Sequence, residues 1–400
     1  MPDHADPRHF DIAVVGGGLA GSAAALAAAQ SGWQVAFIAP EAPAPDRRTT
    51  ALLSESVEFL RRLRVWDAVE SKSARLATMR ILDGTKRLFR APPVVFRSSE
   101  IGLPEFGYNI PNAPLLAGFG EKIAATGEIT RFPVPLAEAR SDAASVTLTL
   151  GDGTVISADT VIAADGRRST AREAAGISVR TWSYRQAALV MNFSHRLDHE
   201  NTSTEFHTEA GPFTQVPLPG RRSSLVWAMD PAEVEGVLAL PRAELNARVE
   251  ARMASILGAV EVEDGFQAFP MSSLIANRFG AGRTLLVGET GHAFPPIGAQ
   301  GLNLGLRDVE QAITAIAEAG GPAGAERAAR DFDRRRRVDV SSRTFGVDLL
   351  NRALLSSFLP AQVLRAGGLA ALGAIRPLKQ LAMREGMTPG WRGRAAASGE

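Results

Sequence analysis

The chain has 400 residues, 45% of them hydrophobic and 22% charged, which allows a large core and two intimately joined domains. Its formal net charge of +1 gives no global case for nucleic-acid binding, and the lack of cysteine excludes disulfides, thiolate metal sites and cysteine nucleophiles. No apolar stretch approaches the ~18 residues of a membrane-spanning helix, and Met1–Phe10 lacks the apolar run of a signal peptide, so a cytoplasmic protein is expected.

The first element is Asp11–Val15, a short apolar run of strand character that ends at Gly16. Gly16-Gly17-Gly18-Leu19-Ala20-Gly21 follows, and the small residues through Ala27 read as a helix; Gln34–Ile38 is the next strand. Strand, glycine turn, helix, strand is the order of a dinucleotide-binding unit. Gly16 permits the tight turn, Gly18 lets the backbone approach a pyrophosphate, and Gly21 lets the helix pack on the strand. The helix N-terminus offers N–H groups and the positive end of its dipole to the phosphates. The acid that should close the second strand and bind the ribose is replaced by Ala39-Pro40. Glu41, next along the loop, is the candidate ribose ligand; a backbone or water contact is the alternative.

Two further glycine segments lie downstream. Thr154–Gly166 reads as a strand pair ending in an Asp165-Gly166 turn, and Arg167–Arg172 opens a helix with Ser169 as its N-cap. Arg283–Glu289 is a buried strand ending in a glycine and an acid. It runs through His292 into Gly298-Ala299-Gln300-Gly301-Leu302-Asn303, where a long helix begins. A glycine-rich loop entering a helix can hold negative charge.

Three such segments in this order resemble the fingerprints of class A FAD-dependent monooxygenases with the p-hydroxybenzoate hydroxylase fold. The branch most resembled is the ubiquinone-biosynthesis, or 2-polyprenylphenol, hydroxylases. Arg48–Leu52, Phe106–Asn112, Pro217–Gly220 with Leu225–Trp227, Gly301–Val309 and Leu372–Lys379 also carry the resemblance, which covers residues 10 to 390. It implies an α/β fold: a dinucleotide-binding FAD domain interleaved with a β-rich substrate domain, and a helical C-terminus. The expected division is 10–75, 111–180 and 276–330 for the FAD domain, 76–110 and 181–275 for the substrate domain, and 331–390 for the helical region.

By the same resemblance, Asp165 and Gly166 serve both flavin and NAD(P)H, and position 289 contacts the flavin ribitol. Gly301, Leu302 and Asn303 offer backbone groups to the isoalloxazine, Arg48 lies near the pyrophosphate, and Asn112 near the flavin. The family pattern has Asp at 289 and Ala at 290; this chain has Glu289 and Thr290. His292 reads as a loop-shaping residue rather than a base, and Asn112 equally as a turn former. The implied activity is ring hydroxylation of a polyprenylated phenol through a flavin C4a-hydroperoxide, with FAD bound, O2 consumed, and NAD(P)H or another donor supplying electrons. A hydroxylase of a small soluble phenol, or a non-catalytic flavoprotein within a ubiquinone-biosynthesis complex, are the rival readings.

Within 181–275, Phe206, Phe213, Trp227 and Phe269 are candidate walls of the substrate pocket, though most such residues serve as core. Between Arg334 and Arg384 there are ten Lys or Arg and two acids, interleaved with leucines at helical spacing. That pattern fits either a peripheral contact with the inner face of the cell membrane or a helix packed on its own domain.

Overall fold

The computed structural model describes residues 7–41, 46–85, 92–208, 210–295 and 300–355, with Pro377, Lys379, Gln380 and Met383. Its core is a sheet whose central strands run Thr284–Leu286, Val155–Ala163, Arg8–Val15, Val35–Ile38 and Ile129–Phe132, all mutually parallel. Parallel strands covered on both faces must be apolar throughout, which is why Ile12, Ala13 and Val14 read as an unbroken run and are fully buried. One face packs the helices Leu19–Gln30, Asn112–Ala124, Gln300–Glu318 and the start of Ala325–Leu355. The other packs the antiparallel strands Leu136–Ser141 and Val146–Leu150 and the short helix Thr170–Ala174. Thr154–Gly166 is therefore not a strand pair. It is one strand, Val155–Ala163, that pairs with neighbours on either side.

The second sheet has nine strands and draws on residues 78–97, 179–276 and 292–293, so the two sheets interleave along the chain. Its longest strand, Val179–His195, pairs with Arg222–Met229 along one edge and Gln267–Ala276 along the other. One face is sealed by the helices Pro231–Leu238 and Arg242–Arg252. Alternation decides the fate of the four candidate wall residues. Phe206, Phe213 and Trp227 point to the helix-covered face and are core, whereas Phe269 lies on the other side and is 38% exposed. A three-stranded sheet, Thr49–Leu53, Gly107–Pro111 and Ala74–Leu76, is drawn from the stretch between Val35–Ile38 and Ile129–Phe132 of the first sheet.

The segment 319–325 contains a short 3-10 turn, Pro322–Gly324, before the helix Ala325–Leu355. The basic run at its start is locally neutralised. Arg334 pairs with Asp331, Arg335 with Glu318, Arg336 with Asp308 and Asp339, and Arg337 with Asp333. Lys379 lies 2.7 Å from Glu100 and packs over the Phe96 ring. Arg365, Arg376 and Arg384 lie outside the described residues.

Candidate functional site

Glycine geometry builds the site. Gly16 has φ +117°, and a Cβ there would lie 2.2 Å from the Ala164 carbonyl oxygen; at Gly21 it would lie 1.9 Å from the Gly16 oxygen. Neither position can carry a side chain. Gly18 differs: a Cβ would meet nothing within 4 Å. Gly18 is also the N-cap of the Leu19–Gln30 helix, with no side-chain cap and no acid in the first turn. The first N–H groups of that helix are left to a ligand. Gly166 and Gly301 likewise border open space.

These points belong to segments far apart in sequence. Gly16 abuts Ala164, and a Cβ on Gly288 or Gly305 would stand 3.2 or 3.6 Å from the Ala20 Cβ. The three fingerprints thus meet at the ends of two helices. Bare backbone facing open space beside two helix N-termini suits a dinucleotide with a pyrophosphate, so the residues present fit FAD. Gly298 and Ala299 of the third segment lie outside the described residues.

The remaining candidates sort into those joined to this centre and those apart from it. Both Asp165 oxygens are engaged within its own turn: Ser169 Oγ donates to one and the Ala171 N–H to the other at 3.1 Å. Ser169 in turn caps the following helix by accepting the Arg172 N–H at 2.8 Å. Gly166 N–H donates to Thr290 Oγ1 at 2.9 Å. Glu289 keeps a 57% exposed side chain, 3.5 Å from Arg167. Leu302 and Asn303 form the first turn of the Gln300–Glu318 helix. The Asn303 amide is spent on the protein: it donates to the Ala51 oxygen at 2.8 Å and accepts from Leu53 N–H at 2.9 Å and Ser56 Oγ at 2.7 Å. That clamps the helix to the Thr49–Leu53 strand.

Arg48 and Asn112 are joined through a residue that sequence reasoning missed. Asp46 accepts two bonds from the Arg48 guanidinium, both at 2.8 Å, and one from Asn112 Nδ2 at 2.9 Å. Burial alone would raise the Asp46 carboxyl, but the bonds from Arg48 and Asn112 outweigh it and hold the group below its ordinary value. Asn112 also accepts from Thr50 Oγ1 at 2.6 Å and opens the helix Asn112–Ala124. Arg48 lies 6.0 Å from the centre of the Phe269 ring. Glu41 is exposed, and among the described residues no hydrogen bond or ion pair fastens its side chain to the glycine turn.

Sequence reasoning also missed a buried charge network behind the loop 288–292. His292 Nε2 is 2.7 Å from Asp308, which accepts the Gly288 N–H at 2.9 Å and lies 2.7 Å from Arg336. Arg336 is 2.5 Å from Asp339, Asp339 is 3.7 Å from Arg307, and Arg307 is 2.9 Å from Glu55. His292 shapes the loop, as its position suggested. The available signal was an Arg307-Asp308 pair inside an otherwise apolar helical stretch, which demands buried partners.

A family model described as FAD binding domain matches residues 9–341. Ubiquinone hydroxylase UbiL of Rhodospirillum rubrum is 34% identical over 390 residues, covering 94% of this chain and 89% of the relative. The 3-demethoxyubiquinol 3-hydroxylase of Escherichia coli is 31% identical over 94% of this chain and 97% of the relative. The chain belongs to the ubiquinone hydroxylases of the FAD binding domain family. The fold agrees with solved structures: p-nitrophenol 4-monooxygenase PnpA from Pseudomonas putida superposes with a TM-score of 0.75 at 18% identity, covering 94% of this chain and 98% of that one. PqsL from Pseudomonas aeruginosa gives 0.73 at 20%, covering 90% and 99%. The cofactor of this ubiquinone hydroxylase is FAD.

Proposed function

We propose that this FAD-dependent monooxygenase hydroxylates the aromatic ring of a polyprenylated phenol in ubiquinone biosynthesis. The observation that carries the reading is the meeting of Gly16–Gly21, Ala164–Gly166, Gly288 and Gly305 beside the N-terminus of the Leu19–Gln30 helix, which has no side-chain cap, in a chain that aligns nearly end to end with ubiquinone hydroxylases. Residues 10–75, 111–180 and 276–330 form the FAD-binding part in this reading, 76–110 and 181–275 the substrate part, and 331–390 the helical tail.

FAD, when bound, supplies the redox chemistry, taking electrons from NAD(P)H or another donor and activating O2 for transfer to the ring. The protein contributes placement. The N–H groups after Gly18 would hold the pyrophosphate, Glu289 would meet the ribitol, and the backbone of Gly301, Leu302 and Asn303 would meet the isoalloxazine edge. Val190, Val226 and Phe269 line the sheet face that is not sealed by helices, and offer an apolar wall that excludes water from the ring. No His, Ser or carboxylate nucleophile is required.

No helix among the described residues is long and apolar enough to cross a membrane. A substrate with a polyprenyl chain resides in the bilayer, so we place the enzyme at the cytoplasmic surface of the membrane, by peripheral contact or within a biosynthetic complex. The test of the whole reading is quinone profiling of a deletion strain. An accumulated under-hydroxylated polyprenyl intermediate, cleared by the parent gene and not by one encoding Gly18→Val, supports it; a normal quinone profile refutes it.

A further inference from the structure

The flavin loop 288–292 is pinned at both ends. Its first N–H, from Gly288, goes to Asp308, and so does the His292 ring. Between these anchors Glu289 points outward and Thr290 points inward, with no solvent exposure. The Thr290 hydroxyl accepts the Gly166 N–H at 2.9 Å, and the Thr290 carbonyl accepts Arg172 Nη1 at 3.0 Å. Arg172 also donates to the Arg167 carbonyl at 3.0 Å. The second fingerprint is thus hung on Thr290 by its amide and braced by Arg172.

That turn has little freedom to move without disturbing the first fingerprint. Ala164 is the residue against which Gly16 packs too closely for any side chain, and a Cβ at Gly21 would stand 3.2 Å from the Ala164 Cβ. Gly166 itself holds φ +81° with open space on its Cα, a conformation kept by its surroundings rather than by a side chain. Besides the strand pairing of Ala163 with Leu286 and the Arg172 bond to the Thr290 carbonyl, the Thr290 hydroxyl is the side-chain group of the third glycine segment that holds the Gly166 amide of the second, two residues from the contact that sets the first.

We propose that Thr290 is a positioning residue for FAD: its hydroxyl fixes the Gly166 amide, and through it the relative placement of the three backbone segments that hold the cofactor. The inference rests on the reading of this site as the FAD site. Valine at 290 matches threonine in shape but cannot accept a hydrogen bond, so the Gly166 N–H loses its partner while the packing is kept. Serine keeps the acceptor.

The experiment is titration of apoprotein with FAD, followed by quenching of flavin fluorescence, for the parent, Thr290→Val, Thr290→Ser and Gly18→Val. Thr290→Val should bind FAD about tenfold more weakly, the effect of one unpaired amide donor, with Thr290→Ser within about twofold of the parent. The visible spectrum of bound flavin should shift in Thr290→Val and return in Thr290→Ser. If Thr290→Val does not fold, Thr290→Ala against Thr290→Ser gives the same comparison. Parental affinity in the variants lacking the hydroxyl, or a serine variant as weak as valine, overturns the proposal. Normal FAD binding by Gly18→Val overturns the site reading instead, and does so independently of position 290.

Discussion

The His292 imidazole and the Asp308 carboxylate lie 2.7 Å apart with side chains 1% and 0% exposed, and the same carboxylate oxygen accepts the Gly288 N–H. One acid thus folds the loop 288–292 onto the helix Gln300–Glu318, and Arg336 neutralises that acid from the Ala325–Leu355 helix. A buried ion pair broken on one side leaves a charge that water cannot reach. Asp308→Ala should therefore destabilise the protein by about 3 to 5 kcal/mol, by the usual cost of stranding a buried partner. Chemical denaturation measures it; a loss below about 1 kcal/mol would mean that Asp339, 2.5 Å from Arg336, is enough to neutralise the guanidinium.

The two glycines of the first turn should fail in different ways. Gly21→Ala drives a methyl into the Gly16 carbonyl, so the apoprotein itself should lose about 1 to 3 kcal/mol or more from forced overpacking. Gly18→Val places its side chain where no protein atom lies within 4 Å. Its apoprotein should melt close to the parent, yet purify colourless because the side chain fills the space of the pyrophosphate. A yellow Gly18→Val protein with full flavin occupancy would move the cofactor elsewhere.

Glu289 should matter to FAD and little to stability. Its contact with Arg167 is exposed, and such pairs contribute little. Removing the acceptor in Glu289→Ala should weaken FAD by about 1 to 3 kcal/mol, through unpaired ribitol hydroxyls. Glu289→Asp, which restores the acid of the resembled pattern, should bind FAD nearly as the parent does. Isothermal titration of FAD into the apoproteins decides; equal affinities for alanine and parent would remove Glu289 from the site.

Asp46 predicts a sign for the acid response. Its folded pKa lies below the ordinary carboxylate value: burial, the largest single influence, pulls upward, and the bonds from Arg48 and Asn112 together win. The unfolded chain then takes up the proton first as pH falls, so the stabilisation is complete above the unfolded value of about 3.9 and is lost as pH drops through the folded one. Asp46→Asn should flatten the fall in stability between about pH 5 and pH 2. Urea midpoints across that range test this, and identical slopes in variant and parent would contradict it.

The tail should give weak, salt-sensitive attachment to anionic vesicles. Arg334 to Arg337 and Lys379 are already paired with acids; Arg365 and Arg376 are two of the five other basic residues of the segment, and each would contribute about 1 kcal/mol near an anionic surface. Reversing both charges should abolish flotation with phosphatidylglycerol vesicles at low salt, while phosphatidylcholine vesicles bind neither protein. No flotation of the parent at low salt would leave substrate delivery to a partner protein.

Local rules carried much of this molecule. A run such as Ile12–Val15 must be a strand buried on both faces, and Gly16 and Gly21 specify a tight turn and a close packing, because the positive φ of Gly16 and the approach of Gly21 to the Gly16 carbonyl act within a few residues. Ser169 as an N-cap and His292 as a shaping residue were legible for the same reason. Tertiary structure decided what depends on partners distant in sequence. Phe213 and Trp227 fell to the core because alternation and the helices 231–252 set which sheet face is sealed, whereas Phe269 took the open side. Asp308 and Arg336, 28 positions apart by their numbers, met only after two helices packed. Thr290 looked like a departure from a pattern until folding brought the Gly166 amide to its hydroxyl. Hydrogen bonds and buried charges are satisfied by whatever the fold delivers, and a linear sequence does not state that delivery.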